Sequence, residues 1–205
     1  MSGTKDIADN FEVGEVWTTD YKRRKADETP ESYEAYRTYV KALDKLEKNG
    51  ATIKTPTASN DPIVKDGKLE IRSLGPSASV QGNNEDIHEE SLVIQVKVGK
   101  TSALFAGDTT NNQLNRICKY YNIEKTTLLH APHHGSDEGA NKGAMEQIHP
   151  EHTVISVGKG NPHGHPHDDA MKTYKKTTQG TVYRTDRGTI GFRFDSEGNC
   201  IEKKQ

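Results

Sequence analysis

Histidine is where this sequence could do chemistry. Of nine histidines, eight fall between His130 and His167, and the ninth is His88. Three short motifs hold the reactive residue types: Gly107-Asp108-Thr109-Thr110, His130-Ala131-Pro132-His133-His134-Gly135-Ser136, and Asn161-Pro162-His163-Gly164-His165-Pro166-His167. Imidazole and carboxylate without thiolate form a donor set that suits zinc, and equally manganese or iron. A site of such donors with an open position is catalytic rather than structural in style. Each motif also has a simpler reading. Asp108, Thr109 or Thr110 can cap a helix that starts at Asn111. His-His-Gly-Ser can be a polar turn with Gly135 supplying a positive φ, and a His-rich loop can bind metal adventitiously. Two adjacent imidazoles have few structural uses, however, and all three motifs follow an expected strand, so metal binding is the economical reading. His149 and His152 flank Pro150 at a turn and read as structural or surface residues. So does His88, which sits in an acidic loop with somewhat better prospects of facing a site.

The elements that would position these motifs follow from periodicity. A small helix over Thr4 to Asn10 precedes a short strand within Glu12 to Thr19. Apolar spacing at Tyr33, Tyr36, Val40, Leu43 and Leu46 predicts a long helix from Glu31 to Lys48, entered at Thr29-Pro30 and stopped by Asn49-Gly50. Strands are then expected at Ala51 to Lys54, Leu69 to Leu74, Leu92 to Val98 and Ser102 to Ala106. Helix Asn111 to Tyr121, strand Thr127 to Leu129, helix Ala140 to Ile148, strand Thr153 to Val157 and helix Asp168 to Thr178 alternate after them. Val182 to Phe194 reads as a terminal hairpin turning at Asp186-Arg187-Gly188. The class is mixed α/β. In such folds the ends of neighbouring strands converge on one rim of the sheet, where ligands bind, and all three motifs occupy that position. Gly75 to Glu90 lacks periodicity and reads as a long loop, of the kind often found near a site.

Composition narrows the function classes. With 28 Lys and Arg against 30 Asp and Glu over 205 residues, the net charge of −2 gives no broad attraction to nucleic acid or anionic membrane, so any polyanion must be met locally. The basic run from Tyr21 to Lys25 is read as a solvated loop. No apolar run approaches a membrane span, and the first residues do not resemble a signal peptide. Two distant cysteines, Cys118 and Cys200, indicate neither a disulfide framework nor a thiolate zinc knuckle, and the expected compartment is the cytoplasm. The hydrophobic content of 31% is lean for a self-sufficient core of this size.

The series SLVIQVKVGKTSALFAGDTT, LLHAPHHGS, SVGKGNPHGHP and VYRTDRGTIGF resembles, in order and spacing, the C-terminal half of the metallo-β-lactamase fold in ComEC-type competence proteins and their stand-alone hydrolase relatives. The likeness runs from about Ser2 to Phe194. It implies an αββα sandwich, with the whole chain, residues 1–205, forming a single partial domain. Carried across residue by residue, Asp108 is implied as the bridging carboxylate. His133 or His134 and His165 are the imidazole ligands, with His134 also a candidate proton donor. Ser136, Asn161 and His163 are implied at substrate-binding positions, and Gly164 and Thr185-Asp186 at supporting ones. Two zinc or manganese ions and a phosphodiester substrate, in nucleic acid or a nucleotide, come with the resemblance. Ala106 departs from the family's usual Thr, and His130 and His163 are extra imidazoles.

One family element has no counterpart. The His-x-(His/Asp)-x-Asp-His motif that supplies about half of the family's ligands occurs nowhere here, and no histidine precedes His88. The expectation is an N-terminally truncated domain whose site would hold metal weakly unless a missing segment or a second chain completes it. The alternative is a non-catalytic remnant, acting as a binding or regulatory module or as half of a split enzyme.

Overall fold

Short apolar alternations punctuated by Gly, Asn and Asp build the antiparallel side of the main sheet. A computed structural model describes residues 3–22, 29–82, 87–123, 125–195, 197 and 199–204. Strands β3 (Val64–Asp66), β4 (Leu69–Gly75), β5 (Val93–Val98) and β6 (Thr101–Phe105) follow one another as antiparallel neighbours. From β6 onward each strand is crossed back by a helix, and the pairing becomes parallel, as a crossover of this length requires. Helix α3 (Asn111–Tyr120) leads to β7 (Leu128–His130), α4 (Lys142–Ile148) to β8 (His152–Ile155), and α5 (Asp168–Thr177) to β9 (Val182–Arg184). The result is a seven-stranded mixed sheet in the order β3-β4-β5-β6-β7-β8-β9. The mixed α/β class expected from the sequence is the one formed.

The core lies on one face of this sheet. Leu74, Val93, Leu104, Leu129 and Ile155 meet Leu114 and Ile117 of α3, Met145 and Ile148 of α4, and Tyr174 of α5. Leu104 and Leu129 are paired across β6 and β7, so they point the same way. Truncating either would cost about 2–5 kcal/mol through lost transfer energy and a residual cavity. The opposite face, which carries Ile94, Val96 and Val154, is only half-buried, and Phe105 is 45% exposed.

A second, smaller layer has its own core. Helix α1 (Thr4–Asn10) and helix α2 (Pro30–Lys48) pack on the parallel pair β1 (Glu15–Trp17) and β2 (Thr52–Lys54) through Ala8, Ala42, Leu46 and Ala51, with Val13 and Val16 beside them. Helix α2 starts as the sequence indicates, with Pro30 in its first turn and the Thr29 hydroxyl accepting the Ser32 amide. Its tyrosines, expected on the core stripe, lie outside that core at half-buried positions.

The expected hairpin over Val182 to Phe194 does not form. Strand β9 joins the main sheet beside β8. The Asp186-Arg187-Gly188 signal is spent on a 3₁₀ turn over Thr185–Arg187, and β10 (Ile190–Phe194) pairs instead with β11 (Cys200–Lys204). Of the basic run, Arg23, Arg24 and Lys25 lie outside the described residues. Among the described residues no helix is long and apolar enough to cross a membrane.

Candidate functional site

The three motifs leave β6, β7 and β8, which are adjacent and parallel, so their loops emerge on one rim. After β6 the chain turns at Gly107, with φ +56. The helix cap that the sequence leaves open among three residues falls to Thr110, whose hydroxyl accepts the Gln113 amide. Thr109 is buried and donates to Gln113 Oε1 at 2.5 Å. Asp108 is thereby spared from capping, and its half-exposed carboxylate faces the loop after β7.

That loop is unusual in its backbone. His133 (φ 48, ψ 41) and His134 (φ 54, ψ 24) are both left-handed, and Gly135 follows at φ 83. A non-glycine residue held this way costs on the order of 1–3 kcal/mol and persists only where the surroundings over-determine it. Here the His133 amide donates to Gly107 O at 2.9 Å, the Ser136 amide to His133 O at 2.9 Å, and the His167 amide to Gly135 O at 3.0 Å. These bonds tie all three motif loops together. Gly135 is required, because a Cβ there would lie 2.6 Å from Pro166 Cβ.

The consecutive left-handed residues send the two imidazoles to different surroundings. His134 Nδ1 lies 2.8 Å from Ser156 O, which can only accept, so Nδ1 carries a proton and donates. Nε2 then points at Asp108 Oδ1, 3.2 Å away. In the neutral ring that nitrogen is a lone pair facing a carboxylate oxygen, an arrangement that calls for a cation or a shared proton between them. A backbone carbonyl bound to the far ring nitrogen is how metal-ligating histidines are commonly oriented. His133 goes inward. Among the described residues its buried Nδ1 has no hydrogen-bond partner, with Glu138 Oε2 3.9 Å away, and its ring stacks on His88 at 4.7 Å and meets His165 edge-on at 5.8 Å. His165 in turn lies 5.7 Å from His163 and 4.7 Å from His167, ring centre to ring centre. Burial, and then the neighbouring His88, hold the His133 pKa below the usual imidazole range. Burial, and then His167 and His133, do the same for His165, and burial does so for His130. Each shift favours the neutral ring, the form that can ligate.

Several of the remaining expected site residues bond the loops of the rim in place. Asn161 donates to His165 O at 2.7 Å and accepts the His165 amide at 3.0 Å, which fixes the histidine's loop. Ser136 is buried, and its hydroxyl accepts the Glu138 amide. Thr185 accepts the Val157 amide at 2.7 Å, and Asp186 is gripped by Arg184 through two bonds at 2.7 and 3.0 Å. His163 is exposed beside His165. Among the described residues, no three His, Cys, Asp or Glu side chains are arranged to hold one metal ion. The sequence undervalues His88. Nothing in its own acidic loop marks it, and the one available signal is that the loop is long and aperiodic. Two clefts flank the pair. One, of about 440 Å³, is bordered by Asp108 and His88, and the other, of about 420 Å³, by His134, Asn161, His163 and His165.

No protein-family model matches the chain. Three curated relatives do. ComE operon protein 3 of Bacillus subtilis (strain 168) is 26% identical over 155 residues, which is 75% of this chain and 19% of that protein. Recombination protein 2 of Haemophilus influenzae is 30% identical over 98 residues, 46% of this chain and 12% of that protein. Uncharacterized protein YcaI of Escherichia coli (strain K12) is 22% identical over 120 residues, 58% of this chain and 16% of that protein. The chain thus spans less than a fifth of the length of these relatives. Among solved structures, that of Tm1679, a metal-dependent hydrolase of the beta-lactamase superfamily, is 12% identical with a TM-score of 0.40, covering 80% of this chain and 63% of that one.

Proposed function

We propose that this chain carries part of the catalytic centre of a metal-dependent hydrolase of the competence-protein type, acting on phosphodiesters in nucleic acid or a nucleotide. The observation that supports this best is the Asp108–His134 pair, with Nε2 and a carboxylate oxygen 3.2 Å apart and the far ring nitrogen held by a carbonyl. The donor chemistry of the pair fits a divalent cation such as zinc or manganese. The rings of His133 and His165, 5.8 Å apart, place further imidazoles nearby. The pair supplies only two donors, so a further donor belongs to substrate, solvent, a second chain or a segment of a longer protein. A divalent ion held by Asp108 and His134 would supply Lewis acidity at a phosphoryl group and would bring the pKa of water toward neutrality. Asp108 and His134 would offer a carboxylate oxygen and Nε2 to such an ion, and Asn161 holds the His165 loop across the second cleft. Loss of the pair's geometry would therefore be felt at the reacting centre rather than in the core.

The test is metal content by elemental analysis together with hydrolysis of bis-p-nitrophenyl phosphate in added Zn²⁺ or Mn²⁺. Binding and turnover that both fall at least tenfold in Asp108→Ala and His134→Ala support the reading. Metal content unchanged in these variants refutes it. The second reading, a non-catalytic module or half of a split enzyme, draws on the lack of any three-donor group among the described residues. A folded protein that neither retains metal nor turns over the ester would favour it.

A further inference from the structure

We infer that the cleft on the Asp108 side is a stacking site for an unpaired nucleobase, so that the substrate class is single-stranded rather than duplex nucleic acid. The inference rests on the phosphodiesterase reading above and deepens it. The aromatic spacing of α2 looks like a core stripe, yet the core beneath this helix is made by Ala42 and Leu46. The tyrosines turn elsewhere. Tyr33, Tyr36 and Tyr39 form a ladder with ring centres 6.4 and 6.5 Å apart, and Tyr36 and Tyr39 border the cleft of about 440 Å³. Trp17, at the end of β1, borders the same space, and the Thr18 hydroxyl beside it is hydrogen-bonded to the Tyr39 phenol, which steadies that ring. All three rings are half-buried, and among the described residues the cleft between them is open to solvent.

Asp108 borders the same cleft, and so does His88, stacked on His133. A substrate whose phosphoryl group sits at the Asp108–His134 pair would therefore project its attached group among π-faces. The volume lies within the roughly 300–1,000 Å³ of small-ligand sites. Aromatic side chains that accept successive bases without regard to identity are the usual device of single-strand binding. A base in a duplex has both faces already stacked and cannot enter, so the cleft selects against paired substrate.

Trp17 is the only tryptophan in the chain, which makes its fluorescence a direct probe. The full chain is titrated in chelator, so that no hydrolysis occurs. The probes are an oligothymidylate of about ten nucleotides, an abasic phosphodeoxyribose strand of equal length, and a duplex of equal length. Saturable quenching by oligothymidylate is expected, with binding of the abasic strand and the duplex at least tenfold weaker. Tyr36→Leu keeps the bulk and removes the π-face, and should weaken oligothymidylate binding about 5- to 150-fold, the range of one lost stacking contact. Tyr33→Leu, outside the cleft, should change it less than twofold, and an unaltered circular-dichroism spectrum excludes unfolding in either variant. Equal affinity for the abasic strand or the duplex, unchanged binding in Tyr36→Leu, or no quenching at all would overturn the proposal. Selective binding without any metal-dependent hydrolysis would instead sink the hydrolase reading and leave the cleft assignment standing.

Discussion

Replacing Gly135 with alanine should separate backbone strain from crowding at the centre of the site. The new Cβ would sit 2.6 Å from Pro166 Cβ, 3.1 Å from Ile155 Cγ2 and 3.2 Å from Pro166 Cα, on a residue with φ +83. The left-handed conformation costs an alanine about 1–2 kcal/mol, and forcing an atom into a packed site costs about 1–3 kcal/mol more. The expected loss is therefore about 2–5 kcal/mol, a large part of the roughly 5–15 kcal/mol by which a domain is stable. Gly164 is the matched control. Its φ is +69, but a Cβ there meets nothing within 4 Å, so Gly164→Ala should lose only the conformational share of about 1–2 kcal/mol. Guanidinium unfolding curves with equal slopes would give both values. The Gly135 variant should also lose metal-dependent turnover, since the alanine pushes His134 away from Asp108. Equal losses in the two variants would refute the account of Pro166 as the wall behind the His-His-Gly turn.

Three further outcomes follow from other contacts. Asn161→Leu leaves the His165 amide and carbonyl without the side chain that bonds them, and should cost about 1–3 kcal/mol in the same unfolding assay; a change under about 0.5 kcal/mol would contradict this. Burial lowers the His130 pKa below its unfolded value near 6.5, so its stabilising share is complete above that range and drains away as the pH falls through the folded pKa. His130→Phe should therefore flatten the decline of unfolding midpoints between pH 7 and 5, and an unaltered slope would disprove the assignment. Burial pushes the Cys118 thiol up to about 11, leaving about one thiolate in a thousand at pH 8. Mass spectrometry should accordingly find it alkylated far more slowly in the native protein than in denaturant, and equal rates would be the contrary result.

The rim that gathers Asp108, His133, His134 and His165 was readable in the sequence because strand–helix alternation forces parallel neighbours, and parallel neighbours put their exit loops together. Four features were not. Strand β3 is only Val64–Asp66, too short to show alternation, and its Asp66-Gly67 turn was the one available sign. The hairpin expected after Val182 carried a valid turn signature, but pairing of β9 with β8 outcompeted it, and β11 is too charged to announce itself as the partner of β10. The tyrosines of α2 obey core periodicity, yet small Ala42 and Leu46 fill the space beneath the helix, a matter of volume that spacing cannot encode. The choice between His133 and His134 was closed to sequence because it depends on two successive backbone torsions of unusual sign, which direct one ring to Ser156 O and Asp108 and the other to His88.

Those torsions also set the vocabulary available to anyone redesigning the loop. Asparagine, aspartate and glycine visit the left-handed region readily, whereas valine, isoleucine and threonine do not. If the metal-site proposal holds, an aspartate installed at position 133 or 134 would offer hard oxygen in place of nitrogen, shifting preference toward manganese or magnesium, without rebuilding the turn. A β-branched replacement at either position would unravel the loop before its donor chemistry could be judged.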